Sequence, residues 1–165
     1  RTSKGILNLI REKISTDYAV FGEPSGVRKI TFGYKGRLGF KITCKTETGH
    51  VGAQHLLDNA IEKSVDLWSH LKAACEKYKY PSGVFYSLTP SLIAISSRRT
   101  SGGLPNVCIL TIDMRLPPTI RCGNAIALIQ GSLKDFQGAN PEASFTLSVT
   151  DRVEPFVANR DSLVM

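Results

Sequence analysis

Three side chains in this sequence stand where they could do chemistry. Glu23 follows a short apolar run and precedes Pro24, so its carboxylate is expected at the C-terminal end of a buried strand. Open α/β sheets place their sites there, and zinc accepts carboxylate oxygens. His50 lies between Gly49 and a helix-like segment, which raises the question whether its imidazole does chemistry. Arg115 ends a strand-like segment, and its planar guanidinium could bind a planar anion through two hydrogen bonds.

Each of these residues also has a simpler interpretation that the sequence leaves open. Glu23 could be a solvated turn residue, and His50 a solvated residue at a strand-to-helix corner. Strand alternation places Asp113 and Arg115 on one face, so a structural ion pair is the alternative for Arg115. His70 is interpreted as a surface residue on the polar side of a helix.

Three predicted helices and several predicted strands must position these residues. Apolar spacing predicts a long amphipathic helix over residues 54–78. Strict alternation in the second half of residues 28–45 predicts a strand, which we expect to form a hairpin around Lys35 and Gly36 with a basic outer face. The remaining predicted elements are a helix at 3–14, a buried strand before Gly22, strands at about 84–97, 107–115 and 143–150, and a shorter helix at 123–136.

The order of these elements predicts the fold. After Val27 it reads strand, strand, helix, strand, strand, helix, strand, which indicates an α+β domain: a ferredoxin-like antiparallel sheet with two helices on one face. Residues 27–152 are assigned to this domain. Residues 1–26 are interpreted as a segment of an α/β domain, and residues 153–165 as the chain returning into that domain.

Length and cysteine usage limit the class of protein. The 165 residues suffice for one sizeable core, and the chain opens on Arg1 with neither a signal peptide nor an apolar run long enough to span a membrane. We therefore expect a soluble, cytoplasmic, internal piece of a longer protein. The four cysteines form no C-x-x-C pair, which predicts buried reduced thiols rather than disulfides or a cysteine metal site.

The charge distribution points to an acidic partner or to a merely solvated basic face. The net charge is +7, and residues 1–50 hold ten Lys and Arg against four Asp and Glu, whereas residues 101–165 hold five against six. Nucleic acid, an acidic protein and an anionic substrate are the candidate partners.

Five motifs, in order and at sensible spacing, resemble one enzyme family. They are FGEPSG at 21–26, GYKGRL at 33–38, GHVGAQHLLDNAIE at 49–62, GGLPN at 102–106 and IDMRLPP at 112–118. The family is that of the dinuclear-zinc amidohydrolases and exopeptidases, of the acetylornithine deacetylase, succinyl-diaminopimelate desuccinylase and carboxypeptidase G type. The motifs look most like its carrier-protein lysine/ornithine hydrolase, or acetyl-lysine deacetylase, branch.

The resemblance implies a lid, or dimerisation, domain over residues 27–152, flanked by short pieces of a zinc-binding catalytic domain. The parent enzyme would be a homodimer with two zinc ions per active site, with cobalt as an alternative metal. It would remove an acyl or carrier-protein group from the amino group of lysine- or ornithine-type amino acids, in amino-acid biosynthesis. The isolated segment is expected to be inactive.

The resemblance also implies roles for four residues. Glu23 would be a zinc ligand, and His50 would reach across the dimer and donate a hydrogen bond to the oxyanion formed on the partner's substrate. Arg115 and Asn106 would contact the substrate, and the alternative for Asn106 is an asparagine that only caps a loop. A basic lid surface would steer an acidic amino-group carrier protein.

A competing hypothesis is a stand-alone basic β-α-β module that binds nucleic acid or a regulatory ligand. RNA binding by such a sheet needs aromatic and basic side chains interleaved on the exposed face. The predicted central strands offer SLIAIS and VCILTIDMR instead, and aromatic residues are few. We therefore expect neither nucleic acid nor a membrane as a partner.

Overall fold

The computed structural model describes residues 4–17, 26, 31–47, 49–50, 52, 57–97, 103–159 and 161. The chain divides into two compact units, Gly33–Val157 on the one hand and Arg1–Phe32 with Ala158–Met165 on the other. The helices are α1 (Lys4–Arg11), α2 (Ala60–Glu76) and α3 (Cys122–Ala139), and the strands are β1 (Gly33–Tyr34), β2 (Gly36–Lys45), β3 (Thr89–Ser97), β4 (Val107–Leu116), β5 (Ser144–Val153) and β6 (Phe156–Val157). The predicted domain boundaries after residues 26 and 152 stay a prediction.

The larger unit is built around a four-stranded antiparallel sheet in the order β3-β4-β2-β5. Along the chain its elements follow as β2, α2, β3, β4, α3 and β5, which is the split β-α-β arrangement. Both helices contact the sheet and each other. The expected ferredoxin-like α+β fold is therefore confirmed.

Strand alternation explains why one face of the sheet carries the helices. The inward residues of β2 and β4 are apolar and almost completely buried, whereas Arg37, Lys41 and Lys45 of β2 are exposed. The two helices add their own apolar stripes to this core. Its buried members are Leu38, Phe40, Ile42, Leu67, Leu71, Cys75, Leu88, Leu110, Ile112, Met114, Leu116, Cys122, Ala125, Ile129 and Leu133.

The predicted hairpin over residues 28–45 is wrong. β2 pairs with β4 on one edge and with β5 on the other, so it has no free edge for a hairpin partner. β1 pairs instead with β6, in a separate two-stranded sheet. Alternation correctly identified β2 as a strand, but a local pattern cannot tell a central strand from a hairpin arm, because strand pairing is decided by distant residues.

The long helix begins later than predicted. α2 starts at Ala60, because the Asn59 side chain accepts a hydrogen bond from the Ile61 N–H and caps the first turn. The predicted strand from residue 84 likewise begins only at Thr89, and a short 3₁₀ turn, Val84–Tyr86, precedes it. The four cysteines are free and buried, as expected.

The smaller unit contains α1, a helix that the sequence predicted correctly. Its apolar side chains are all half-exposed or more, from 50% for Ile6 to 65% for Ile10. The predicted buried strand before Gly22 lies outside the described residues. No helix in the described ranges is long and apolar enough to cross a lipid bilayer.

Candidate functional site

His50 lies in a loop that continues the sheet beyond the end of β2. The residue forms an isolated antiparallel bridge with Gly103, and the Leu104 N–H donates to the Gly49 carbonyl at 2.8 Å. Closer to the sheet, the Thr46 N–H donates to the Asn106 carbonyl at 3.0 Å. The segment after β2 and the segment before β4 therefore run side by side, and the GH and GGLPN motifs meet there.

A hydrogen bond sets the tautomer of His50. The Gly52 N–H donates to His50 Nδ1 over 3.1 Å. Nδ1 must then be an unprotonated acceptor, so in the neutral ring the proton is on Nε2. The side chain is exposed, and this arrangement leaves Nε2–H available as a donor to a group outside the loop.

Gly49 allows the loop to pack closely against the residues that lead into α2. A Cβ atom at Gly49 would lie 1.9 Å from Leu57 Cδ1, so any larger residue would displace either Leu57 or the loop. The Pro105 carbonyl accepts from the Ala60 N–H at 2.9 Å and ties the start of α2 to the same loop pair. Local packing thus positions His50 and Asn106 at one end of the sheet.

Arg115 lies at the other end of the sheet. It is directly opposite Arg37 on β2, whereas Val107, at the start of β4, is opposite Lys45. At about 3.4 Å per residue, Asn106 and Arg115 are about 30 Å apart along the strand. The structure places His50 and Asn106 in the same loop pair at one end of the sheet, and Arg115 lies at the other end of the same chain.

The ion pair between Asp113 and Arg115, the alternative interpretation of Arg115, is present. Arg115 Nε lies 2.9 Å from Asp113 Oδ1, while the side chain of Arg115 remains 54% exposed. Asp113 Oδ2 also accepts from Arg37 Nε, and Arg37 Nη1 lies 2.8 Å from Asp151 Oδ2. This pairing with Asp113 raises the pKa of Arg37 above its usual value. The four residues form one chain of alternating charges on the open sheet face, called here the charge ladder.

Gly39 and a β-bulge make the charge ladder possible. Gly39 is opposite both Asp113 on β4 and Asp151 on β5 and has no side chain to separate Arg37 from either. The register of β5 shifts at this point, so that Asp151 follows Val149 as the next paired residue. The extra residue, Thr150, restores an outward position to Asp151. We identified neither Arg37 nor Asp151 as a site residue, and only the bulge, which no local pattern reveals, aligns them.

Lys35, which the sequence placed only at the turn of the expected basic hairpin, is also close to Arg115. Its Nζ donates to three oxygens: the Val84 carbonyl at 2.7 Å, the Ser87 carbonyl at 2.6 Å and Thr89 Oγ1 at 2.9 Å. Burial lowers the pKa of Lys35, and the nearby positive charge of Arg115 lowers it further. Lys35 therefore fixes the turn before β3 close to Arg115.

The described residues do not by themselves form a metal centre. They contain no group of three or more His, Cys, Asp or Glu side chains placed to hold a metal ion. Glu23, the expected zinc ligand, lies outside them.

The sheet offers no stacking surface for nucleic acid. Among the four strands of the main sheet, the aromatic residues are Phe40 and Phe145, and both pack into the core on the helix side. The open face carries cations and hydroxyl groups instead, so the feature that RNA-binding sheets use for stacking is missing from these strands.

Comparison with known proteins agrees with this geometry. The family model described as the M20 peptidase dimerisation domain matches residues 32–140, which is most of the chain. This chain belongs to the M20 peptidase dimerisation-domain family. The match covers β1 to α3, including both motif-bearing ends of the sheet.

The curated relatives of this dimerisation domain are hydrolases. A protein of Pyrobaculum aerophilum named as a LysW-lysine/LysW-ornithine hydrolase is 26% identical over 109 residues, which are 64% of this chain and 29% of the relative. The succinyl-diaminopimelate desuccinylase of Buchnera aphidicola is 28% identical over 142 residues, 82% of this chain and 37% of the relative. The chain thus spans about a third of the length of these relatives.

Solved structures support the same fold. A hydantoinase/carbamoylase family amidase from Burkholderia ambifaria aligns with a TM-score of 0.64 at 12% identity, over 78% of this chain and 31% of the amidase. At such low identity the likeness concerns the fold alone.

Proposed function

We propose that this chain is the lid and dimerisation segment of a longer, metal-dependent amide hydrolase. The parent enzyme would remove an acyl or carrier-protein group from the amino group of a lysine- or ornithine-type amino acid, in the cytoplasm. The family membership and the names of the curated relatives support this proposal. The two zinc ions would lie in the rest of the parent enzyme, with Glu23 as their ligand from this chain.

His50 is the residue of this segment that acts on the reacting group. Amide hydrolysis develops negative charge on the carbonyl oxygen, and a pre-aimed N–H donor stabilises that charge. The hydrogen bond from Gly52 to Nδ1 supports this assignment, because it leaves the Nε2 proton of an exposed ring free to donate. The described residues around His50 supply no other catalytic group, so the imidazole serves a substrate that the rest of the enzyme binds.

The domain dimerises through the free edge of β3. β3 is one of the two outer strands of the sheet, and its sequence, TPSLIAISS, contains no charged residue. Ile93 is 61% exposed and Ile95 is 44% exposed. Soluble proteins normally protect such an edge with charges, so an uncharged, apolar edge fits pairing with a second copy. Val65 of α2 adds a further half-exposed apolar side chain.

Arg115 and Asn106 contact the substrate from opposite ends of the sheet. The distance between them along β4 makes it impossible for one lid to bring both to one substrate. In a two-fold dimer, however, one end of each lid can serve its own catalytic domain and the other end the partner's.

The open sheet face receives an acidic carrier protein. Lys41 and Lys45 are exposed on this face, and their cross-strand neighbours are Thr111, Ser148, Val107 and Ser144, none of which is acidic. A positive surface of this kind attracts an acidic partner over long distances. The name of the Pyrobaculum relative supports a carrier-linked substrate.

The central test is a His50→Ala substitution in the full-length parent enzyme. Loss of one oxyanion donor lowers kcat about a hundredfold or more and changes KM little. The control is His70→Gln, because His70 lies on α2 with its ring centroid 5.4 Å from that of Phe136, away from the loop pair. Full turnover by the His50→Ala enzyme would refute the proposed function of this residue.

A further inference from the structure

Asp113 has an environment unlike that of any other acidic residue in the described ranges. It is the one charged residue there that is buried, with 9% of its surface exposed. A buried carboxylate is unfavourable unless it is paired and hydrogen-bonded. Both of its oxygens are paired, one with the Nε of Arg37 and the other with the Nε of Arg115.

The two arginines would otherwise repel each other. Arg37 and Arg115 are directly opposite on neighbouring strands, and like charges in that position are destabilising. Asp113 lies two residue pairs further along the strands, opposite Gly39 and on the same face, and its carboxylate bridges both guanidinium groups. It therefore decides where each guanidinium points.

The two arginines differ in what remains unpaired. Arg37 donates hydrogen bonds from Nε to Asp113 and from Nη1 to Asp151, so both sides of its guanidinium are hydrogen-bonded. Arg115 Nε forms an ion pair with Asp113 Oδ1 at 2.9 Å, and the terminal nitrogens of Arg115 have no acceptor within the part of the chain that the structure describes. The Nη1–Nη2 edge of Arg115, on a side chain that is 54% exposed, is the edge that a carboxylate can bind with two parallel hydrogen bonds.

We propose that Asp113 is a positioning residue, which holds Arg115 by Nε and thereby presents its terminal edge to the carboxylate of the substrate. The inference rests on the proposed role of Arg115. The ion pair and substrate binding are compatible, because the ion pair uses Nε of Arg115 and leaves Nη1 and Nη2 available to the substrate. A guanidinium already fixed in this way loses less side-chain freedom when the anion binds.

The first experiment compares Asp113→Asn with Asp151→Asn in the full-length parent enzyme. We expect Asp113→Asn to raise KM about tenfold with kcat within about twofold, because the arginine must be ordered during binding. Asp151→Asn removes the same charge from the same ladder but contacts Arg37 alone, so KM should not change. Thermal unfolding of each variant checks that it is folded.

The direction of the change in KM of Asp113→Asn distinguishes positioning of Arg115 from simple electrostatic attraction. Asp113→Asn makes the ladder more positive by one charge, so long-range attraction alone would lower KM for an anionic substrate. A rise in KM therefore reports loss of positioning, and an unchanged or lowered KM overturns the inference. If Arg115→Ala leaves KM unchanged, the proposed role of Arg115 itself fails, which is a different result.

A second measurement needs no variant. In the isolated chain, NMR relaxation should find the Nε of Arg115 more ordered than the Nε of Arg152, an exposed arginine with no ion-pair partner among the described residues. Equal order parameters at the two arginines would overturn the inference even if Asp113→Asn fails to fold. Titration with acetate should then shift the terminal nitrogen signals of Arg115 and leave those of Arg37 in place.

Discussion

His50 and Arg115 lie at opposite ends of the four-stranded sheet. His50 follows the end of β2 at which Lys45 pairs with Val107, and Arg115 pairs with Arg37 at the other end. About 30 Å of strand separates the two ends. If both residues act on one substrate, they must come from different subunits of a dimer.

This separation predicts complementation between two inactive variants. Full-length His50→Ala and Arg115→Ala enzymes should each have little activity, whereas dimers that contain one subunit of each should regain one intact site out of two. Random co-assembly makes half of all dimers mixed, so about one quarter of wild-type activity should return. Activity is measured after co-expression, with the two variants purified separately and mixed without subunit exchange as the control.

An arrangement in which one lid serves a single site predicts a different recovered activity. If one lid supplied both residues to the same site, every lid in the mixed dimer would carry a defect, and activity would stay at the level of the single variants. Recovery well below one quarter, in a preparation whose mixed dimers are verified by mass, would thus contradict the proposed division of roles.

The edge of β3 predicts the oligomeric state. Ile93→Lys places a charge on the uncharged edge and should convert the dimer of the isolated chain into a monomer. Ser148→Lys, at an exposed position on the opposite edge strand, is the control and should leave the dimer intact. Sedimentation equilibrium distinguishes the monomer from the dimer. A dimer that survives Ile93→Lys and dissociates with Ser148→Lys would assign the interface to β5.

The open sheet face predicts a substrate-dependent effect of charge. Lys41→Glu with Lys45→Glu should raise KM for a carrier-linked substrate at least several-fold, because an acidic carrier is then repelled, and should leave hydrolysis of a small acetylated amino acid unchanged. Lys72→Glu with Lys134→Glu changes the net charge by the same amount on the helix side and is the control. Equal loss on both substrates would contradict carrier steering.

The fold class was predictable from the sequence because the apolar residues of each major element recur with the spacing of a strand or of a helix. β2 alternates strictly, α2 and α3 carry apolar stripes, and the order of elements leaves few topologies. The pairing of β1 with β6 was not predictable in this way, since a two-residue strand has no period and its partner is more than a hundred residues away. Local signals identify elements, and distant contacts decide how they pair.

The features of the candidate site were likewise predictable only where they depend on local sequence. His50, Asn106 and Arg115 were identified by residue type and motif, and the Asp113 partner followed from alternation. The tautomer of His50 could not be predicted, because it depends on the backbone N–H of Gly52 folding back onto the ring. The charge ladder was missed because it needs the bulge in β5 to bring Asp151 to the outer face.

Two glycines predict opposite effects of alanine on stability. A Cβ at Gly36, the first residue of β2, would lie 2.7 Å from Pro155 Cδ, Pro155 N and the Val153 carbonyl oxygen. Since these are mostly backbone atoms that cannot move away, Gly36→Ala should destabilise the domain by about 1–3 kcal/mol. A Cβ at Gly131, within α3, meets nothing within 4 Å, so Gly131→Ala should stabilise it by about 0.5–1 kcal/mol.

Urea unfolding of the isolated chain measures both changes. The wild-type chain is the common reference, and the unchanged slope of the transition checks that each variant still unfolds as one unit. Neutral behaviour of Gly36→Ala would mean that β2 and the segment around Pro155 can separate without cost.

Two buried thiols predict how stability falls at alkaline pH. Burial raises the pKa of Cys44 to about 11 and that of Cys75 to about 11, from an ordinary value of 9.0. The folded state therefore binds the thiol protons more tightly than the unfolded chain does. This contribution to the free energy of unfolding is fully present below pH 9 and is lost as the pH rises through about 11, with a limit of about 3 kcal/mol for each thiol.

Urea unfolding between pH 8 and pH 11 measures this loss of stability. Cys75→Ala lowers stability at every pH by removing packing but should flatten the alkaline decline, whereas Ser69→Ala, at an exposed position on the same helix, should leave the decline as steep as in the wild-type chain. An equally steep decline in Cys75→Ala would show that folding does not change the pKa of this thiol.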